Sequence, residues 1–303
     1  MVKKMLLLVV LVVVCLCGTS FALDPMGPPV AGLKQGQWSV GIDYSYSDMD
    51  LKARNGEYSE RFMYAYYDYY YYDYDYGYYY YSGDAPSFKL KTKMNKIYAR
   101  LGYGIMDNWE AFVRLGGANI DVEADPFGWG TDEFDGGNGF AFGFGTKVTL
   151  YESGDLRVGA LAQMSWAESD AKLCGQYTDY DDYDEWYSES WSAEAELEIT
   201  EIQVAVGPAY NLMEGVLIYG GPFLHFVDGD VEGKASWNEH ESDWWGWWAE
   251  TSDVDVSYDI KERSCFGGYI GAQVETIKDI AIYAEWQFTG DADAVGLSAI
   301  LRF

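Results

Sequence analysis

The sequence predicts an all-β chain closed into a transmembrane, antiparallel, up-and-down β-barrel of about ten strands, within a range of roughly eight to twelve. Three observations carry this. Apolar and small or polar residues alternate in separate stretches along the chain, and the links between stretches are alternately short and long. Aromatic residues make up 18 % of the chain, whereas proline occurs only 7 times. Successive strand side chains point to opposite faces, so a period of two makes one face greasy and the other polar. Few prolines suit a sheet, because the ring nitrogen cannot donate to the ladder.

The first stretch sets Trp38, Val40, Ile42, Tyr44 and Tyr46 against Ser39, Gly41, Asp43 and Ser45. Similar stretches follow at 96–105, 109–116, 140–150, 156–166, 202–208, 265–274, 280–288 and 295–303. Between them, 216–227 is more continuously apolar and leaves its phase ambiguous. Tight turns are expected at 106–108, 152–155, 211–215 and 276–279. Long loops are expected at 51–87, 121–138, 167–195 and 228–258, with a short link at 290–293. The loops at 51–87 and 228–258 are long enough to hold hairpins, which is why the strand number carries a range. An even number of strands puts both termini on the short-turn side.

A soluble sandwich or barrel would turn its apolar face inward. Here the opposite face is Gly, Ser, Ala, Gln, Lys and Arg, which suits the inside of a narrow barrel better than an exterior facing water. The apolar face is therefore assigned to lipid. The lumen then receives Lys96, Arg100, Glu110, Arg114, Lys147, Arg157, Glu285 and Arg302. Charges buried in so narrow a space must pair.

The last residues, Leu297-Ser298-Ala299-Ile300-Leu301-Arg302-Phe303, end on an aromatic with apolar residues at alternate positions before it. This resembles the terminal strand of bacterial outer-membrane β-barrel proteins, with Leu301 and Phe303 as the assembly signal. The resemblance spans the mature chain and is specific for the class, not for a subfamily. It implies a Gram-negative-type outer membrane, contact with its lipid, and recognition by the barrel-assembly machinery. Met1–Ala22 reads as a secretory signal: Lys3 and Lys4 precede an apolar run, and Ser20-Phe21-Ala22 offers small residues for cleavage. Residues 23–36 then form a periplasmic leader and 37–303 the barrel domain. Aromatic girdles are expected from Trp38, Tyr103, Trp109, Tyr210 and Phe303 at the periplasmic end, and from Tyr44, Tyr46, Trp166, Trp286 and Phe288 at the outer end. Signal cleavage leaves Cys174 and Cys265, whose pairing the sequence leaves open.

The formal charge of −29 repels phosphate backbones, so nucleic acid is excluded as a partner. Tyr64–Tyr81 holds 13 tyrosines in 18 residues, and Trp244, Trp245, Trp247 and Trp248 are nearly consecutive. Tyr70, Tyr72, Tyr78 and these tryptophans form a candidate aromatic surface for an extracellular glycan or protein, since such rings give large contact area at low entropic cost. Asp179, Asp181, Asp182, Asp184 and Glu185 lack any calcium-loop spacing and read as a solvated acidic loop. No metal site, cofactor motif or catalytic motif is present. Phe223-Leu224-His225, with Asp228 and Asp230 nearby, departs from the acidic and histidine pattern of omptin proteases. The expected function is thus a non-enzymatic barrel presenting acidic, Tyr/Trp-rich loops for surface interaction or envelope integrity. The alternatives are a small porin-like diffusion channel and, last, an omptin-like surface hydrolase.

Overall fold

A strand with one greasy face must bury that face or hand it to a solvent other than water, and its peptide groups must pair wherever water is absent. The computed structural model describes residues 23–303 apart from 125–131, 135, 181–185, 244, 263–264 and 278. The signal segment 1–22 therefore lies outside the described residues, as do Trp244, Asp181, Asp182, Asp184 and Glu185. Among the described residues thirteen strands form one antiparallel sheet. They are β1 (Trp38–Asp68), β2 (Asp73–Ala85), β3 (Phe88–Met106), β4 (Trp109–Ala124), β5 (Asp132–Phe134), β6 (Asn138–Ser153) and β7 (Leu156–Tyr180). Then come β8 (Trp186–Met213), β9 (Val216–Ser242), β10 (Gly246–Glu262), β11 (Phe266–Ile277), β12 (Ile280–Thr289) and β13 (Ala292–Arg302).

Ten of them close a ring in the order β1, β13, β12, β11, β9, β8, β7, β6, β4, β3, with β3 pairing back to β1 from Trp38↔Tyr103 to Ala53↔Phe88. These are the ten stretches seen in the sequence. Closure removes every sheet edge within the ring, which is the condition for crossing lipid with strands. The greasy face looks outward: Ile42, Ile97, Val113, Leu115, Phe144, Val206, Phe226 and Ile270 are exposed. The opposite face, including Asp43, Lys96, Arg100, Arg114, Gln163 and Gln287, is buried. Trp38 and Tyr103 touch at the short-turn end, with ring centroids 4.7 Å apart, and Trp286 and Phe288 do so near the other end at 5.0 Å. The interval Trp38–Tyr46 matches the 9–11 residues or so that a tilted strand needs to cross. The ambiguous strand resolves: Tyr219, Phe223, His225 and Val227 face in, whereas Ile218, Leu224 and Phe226 face out. Its period was hidden because rings pack inside it while lipid-facing side chains line its outside.

Beyond the belt the polarity of the two faces exchanges. Met49, Leu51, Ala53, Leu90, Met94, Ile120, Ile199 and Ile260 now point inward and are buried. Asp50, Lys91, Glu196, Glu198, Asp228 and Lys261 point outward and are exposed. The strands therefore run from a lipid-facing belt into a wall with an ordinary apolar interior.

The expected long loops at 51–87, 167–195 and 228–258 are mostly strand. β2 pairs with β1, β1 with β10, β10 with β9, β9 with β8 and β8 with β7, making a tall wall on one side of the mouth. At about 3.3 Å per residue and a tilt of about 40°, residues 49–68 rise roughly 50 Å. The alternation that builds the wall is present in the sequence. Val254, Val256, Tyr258 and Ile260 alternate with Asp255, Ser257 and Asp259, but with the reversed inside–outside meaning. In β1 the phase shifts at an irregularity between Arg54 and Glu57, where Asn55 adopts φ 50°.

The leader does not hang below the barrel. Leu23, Asp24, Met26, Val30, Ala31 and Leu33 are buried inside it. Lumen-facing glycines leave the room: a Cβ at Gly159 would fall on the Pro29 carbonyl, and one at Gly104 on the Lys34 carbonyl. Cys174 and Cys265 are both unpaired.

The face exchange gives a direct expectation for stability in detergent. Val113→Arg, in the belt, should destabilise by about 2–4 kcal/mol, the cost of a cation facing lipid. Leu51→Ala, inside the wall, should cost about 2–5 kcal/mol. Lys91→Ala, outside the wall, should change stability by less than about 0.5 kcal/mol. Denaturant titrations of the three variants check the order.

Candidate functional site

The lumen is organised by the need of buried charges and peptide groups for partners. Asp24 sits at its centre, 1 % exposed. Its carboxylate meets Lys96 at 3.3 Å and Arg114 at 3.4 Å. Tyr98 donates to it at 3.4 Å, and the Asp24 carbonyl accepts from Gln163 at 3.2 Å and Gln287 at 2.9 Å. Lys96 also pairs with Glu201. Arg114 reaches Asp43 at 4.0 Å and the Pro25 carbonyl at 3.3 Å, and Asp43 accepts from Ser298 at 2.5 Å.

Two further carboxylates hold the inserted segment by its backbone. Glu285 accepts the N–H of Met26 at 2.5 Å and of Gly27 at 2.8 Å, while Tyr219 and Gln287 donate to the same group. Glu110 accepts the N–H of Gly32 at 2.7 Å and of Leu33 at 3.1 Å, and lies 3.5 Å from Arg100. The Arg100 guanidinium lies over the Phe112 ring at 3.9 Å. Where the polar lumen meets the apolar layer, His225 stands between Glu201 at 3.3 Å and Glu262 at 2.9 Å.

All eight lumen residues picked from the sequence point inward, but they fall into two groups. Lys96 and Arg114 join the Asp24 centre, with Glu285 beside it. Arg100, Glu110, Lys147, Arg157 and Arg302 gather at the short-turn end. Sequence reasoning missed Asp24, because the leader has no periodicity to place it. It also left out Asp43, Glu201, Gln163 and Gln287, although strand alternation puts them on the polar face. His225 and Asp228 are three positions apart and so face opposite ways. Asp228 points outward, 3.4 Å from Lys261.

The second feature is the aromatic wall. On its outer face Tyr74 of β2, Trp247 of β10, His240 of β9 and Trp186 of β8 form a row. Centroid distances are 6.2 Å for Tyr74–Trp247, 6.1 Å for His240–Trp247 and 4.7 Å for Trp186–His240. The two hairpin tips meet at Tyr70 and Trp245, 6.1 Å apart. Tyr70, Tyr71, Tyr72, Tyr76, Tyr78 and Trp245 are exposed, Tyr72 at 83 %. Trp247 and Trp248 are half-buried. On the inner face Glu250 stands opposite Glu239, which stands opposite Glu189. Burial and Glu239 raise the Glu250 carboxyl above the ordinary carboxylate range. Burial, with Glu189 and Glu239, pushes the Tyr187 hydroxyl up to about 12. Among the described residues no group of three His, Cys, Asp or Glu side chains is placed to hold a metal ion.

No protein family and no curated protein matches the chain. Solved structures that it resembles include the outer membrane protease OmpT from Escherichia coli, at 11 % identity over 87 % of this chain and 94 % of that one, with a TM-score of 0.39. The attachment invasion locus protein Ail of Yersinia pestis shares 12 % identity over 89 % and 99 %, with a TM-score of 0.23. The translocator domain of the autotransporter NalP from Neisseria meningitidis shares 12 % over 85 % and 89 %, at 0.34. Overlaps this loose bear on neither substrate nor partner.

Two outcomes follow. Lys96→Met removes the cation that Asp24 and Glu201 share, leaving Arg114 to Asp24 and His225 to Glu201, and should cost about 3–5 kcal/mol. Adding Glu201→Leu should restore part of it, as a double-mutant cycle on unfolding free energies will read. In the wall, the folded state holds the Glu250 proton more tightly than the unfolded chain does. Its penalty is therefore absent below the unfolded carboxylate range and complete above the raised value. Glu250→Gln should slow hydrogen exchange of residues 239–250 at pH 7.5 and leave it unchanged at about pH 3, below the unfolded range.

Proposed function

We propose that this chain is a non-enzymatic outer-membrane barrel with a closed lumen, which carries a tall acidic, aromatic wall outward to bind a partner at the cell surface. The observation that carries the reading is the wall itself. Strands continue far past the apolar belt and expose tyrosines at their tips, where rings hidden in a core would be expected to stabilise the fold. Exposed apolar patches of this kind mark interaction sites. The partner is a protein or glycan that stacks on the rings of Tyr72, Tyr76 and Trp245. The wall's excess of carboxylates favours partners with cationic groups and repels polyanions.

Several features support the surrounding parts of this reading. The apolar belt and the terminal Leu301–Phe303 strand fit an outer membrane reached through barrel assembly, after removal of the signal segment. A filled lumen supports a barrier over a diffusion channel: residues 23–33 occupy the belt, and Met49, Leu51, Leu90 and Ile199 pack above them. The separation of His225 from Asp228 counts against a surface hydrolase.

The test uses intact cells and the purified barrel. Tyr72→Ser, Tyr76→Ser and Trp245→Ser together should leave unheated gel migration unchanged. They should lower binding to a glycan and protein array by at least about tenfold, given about 1 kcal/mol or more per lost aromatic contact. Unchanged array binding would defeat the proposal. In planar bilayers the wild type should give no stable conductance steps.

A further inference from the structure

This acidic chain gathers positive charge at the base of its lumen. A cavity of about 240 Å³ opens there at the short-turn end, and Lys34, Arg100, Lys147, Arg157 and Arg302 line it. At about 30 Å³ per water, that space equals roughly eight waters. The three lining carboxylates are already engaged. Glu110 is shared by Arg100 and two backbone N–H groups, Glu275 pairs with Arg302 at 2.9 Å, and Asp107 accepts the Gln35 N–H at 3.0 Å.

Among the described residues three lining cations are left without a carboxylate partner, and two of them, Lys147 and Arg157, are less open to solvent than the exposed Lys34. Lys147 is 3 % exposed, yet among the described residues its ammonium has no hydrogen-bond acceptor or carboxylate within bonding distance. It lies against the leader at Gly27, where a Cβ would come within 3.0 Å of it, and 6.0 Å from the centroids of the Phe112 and Tyr283 rings. The Arg157 Nε is buried without a partner. A buried charge held without a counter-charge is costly, and an anion drawn into the cavity would offset both groups. A forked guanidinium and a compact ammonium together suit a phosphoryl oxyanion, whose several oxygens and up to two negative charges match this surplus.

We propose that the cavity binds a small soluble phosphate or phosphate monoester entering from the short-turn end, with Lys147 and Arg157 as its principal ligands. Glycerol 3-phosphate fits the volume and serves as the probe. Isothermal titration uses the folded full-length mature barrel in phosphate-free dodecyl maltoside, with acetate at equal ionic strength as the comparison. Saturable one-site binding is expected, at least about tenfold tighter than acetate. It should weaken at least about tenfold in Arg157→Gln and in Lys147→Met, and stay unchanged in Lys172→Ala, an exposed cation on the wall. Unheated gel migration reports folding of each variant. If Lys147→Met does not fold, the half-exposed Arg157→Gln carries the comparison. Absence of saturable heat, equal affinity for acetate, or wild-type affinity in Arg157→Gln overturns the proposal. Phosphatidic acid added to the micelles should not compete; competition would assign the site to a lipid headgroup and overturn the soluble source.

Discussion

The structure depends on one closure: β3 pairing back onto β1. In lipid an unpaired peptide group costs several kcal/mol, so a sheet can cross only if it has no edge. Once β1 and β3 meet, every lipid-facing strand has two neighbours. The outer surface can then be wholly apolar, because no backbone has to reach through it for water. The same closure isolates the interior. A narrow cylinder cannot hold enough water to solvate several charges separately, so those charges must find one another.

That demand explains the inserted segment. Residues 23–33 bring a carboxylate, Asp24, to cations on two neighbouring strands, Lys96 of β3 and Arg114 of β4. They also bring backbone N–H groups to Glu285 and Glu110, adding to the donors those carboxylates already have in Tyr219, Gln287 and Arg100. Glycines on the lumen face make the space for this. The wall above the belt solves a different problem with the same strands. Surrounded by water, it turns side chains such as Leu51 and Ile199 inward and carboxylates such as Asp50 and Glu198 outward, so the faces change their chemistry part-way along strands whose alternation, apart from the shift in β1, continues. The tall side then ends in rings that the fold leaves exposed.

The barrel was legible because alternation, turn spacing and the terminal Phe303 strand all agreed. Lys96, Arg100 and Arg114 could be assigned to the lumen since they occupy polar-face positions in strands whose opposite face is plainly greasy. The wall was less legible. Val254, Val256 and Ile260 alternate as clearly as Val113 and Leu115 do, but their face means core instead of lipid, and nothing local marks the change of solvent. Tyrosine in nearly every position of 64–81 also hides whatever period is there. The inserted leader was not legible at all. A Pro- and Gly-rich stretch carries no periodicity, and the donors that hold Asp24 include Tyr98 and Gln287, 74 and 263 residues away.

The exchange of faces along a single strand is the claim on which the account stands, and β3 permits a clean measurement of it. Lys91 and Ile97 share its outward side, one above the belt and one within it. With Cys174 and Cys265 replaced by serine, a nitroxide is placed at either position of the barrel in lipid. Power-saturation spectroscopy then compares collisions with oxygen and with a water-soluble nickel chelate. The account predicts that the label at 97 meets oxygen and not nickel, and that the label at 91 meets nickel. A label at 97 that nickel reaches as readily as at 91, or that neither reagent reaches, would contradict it.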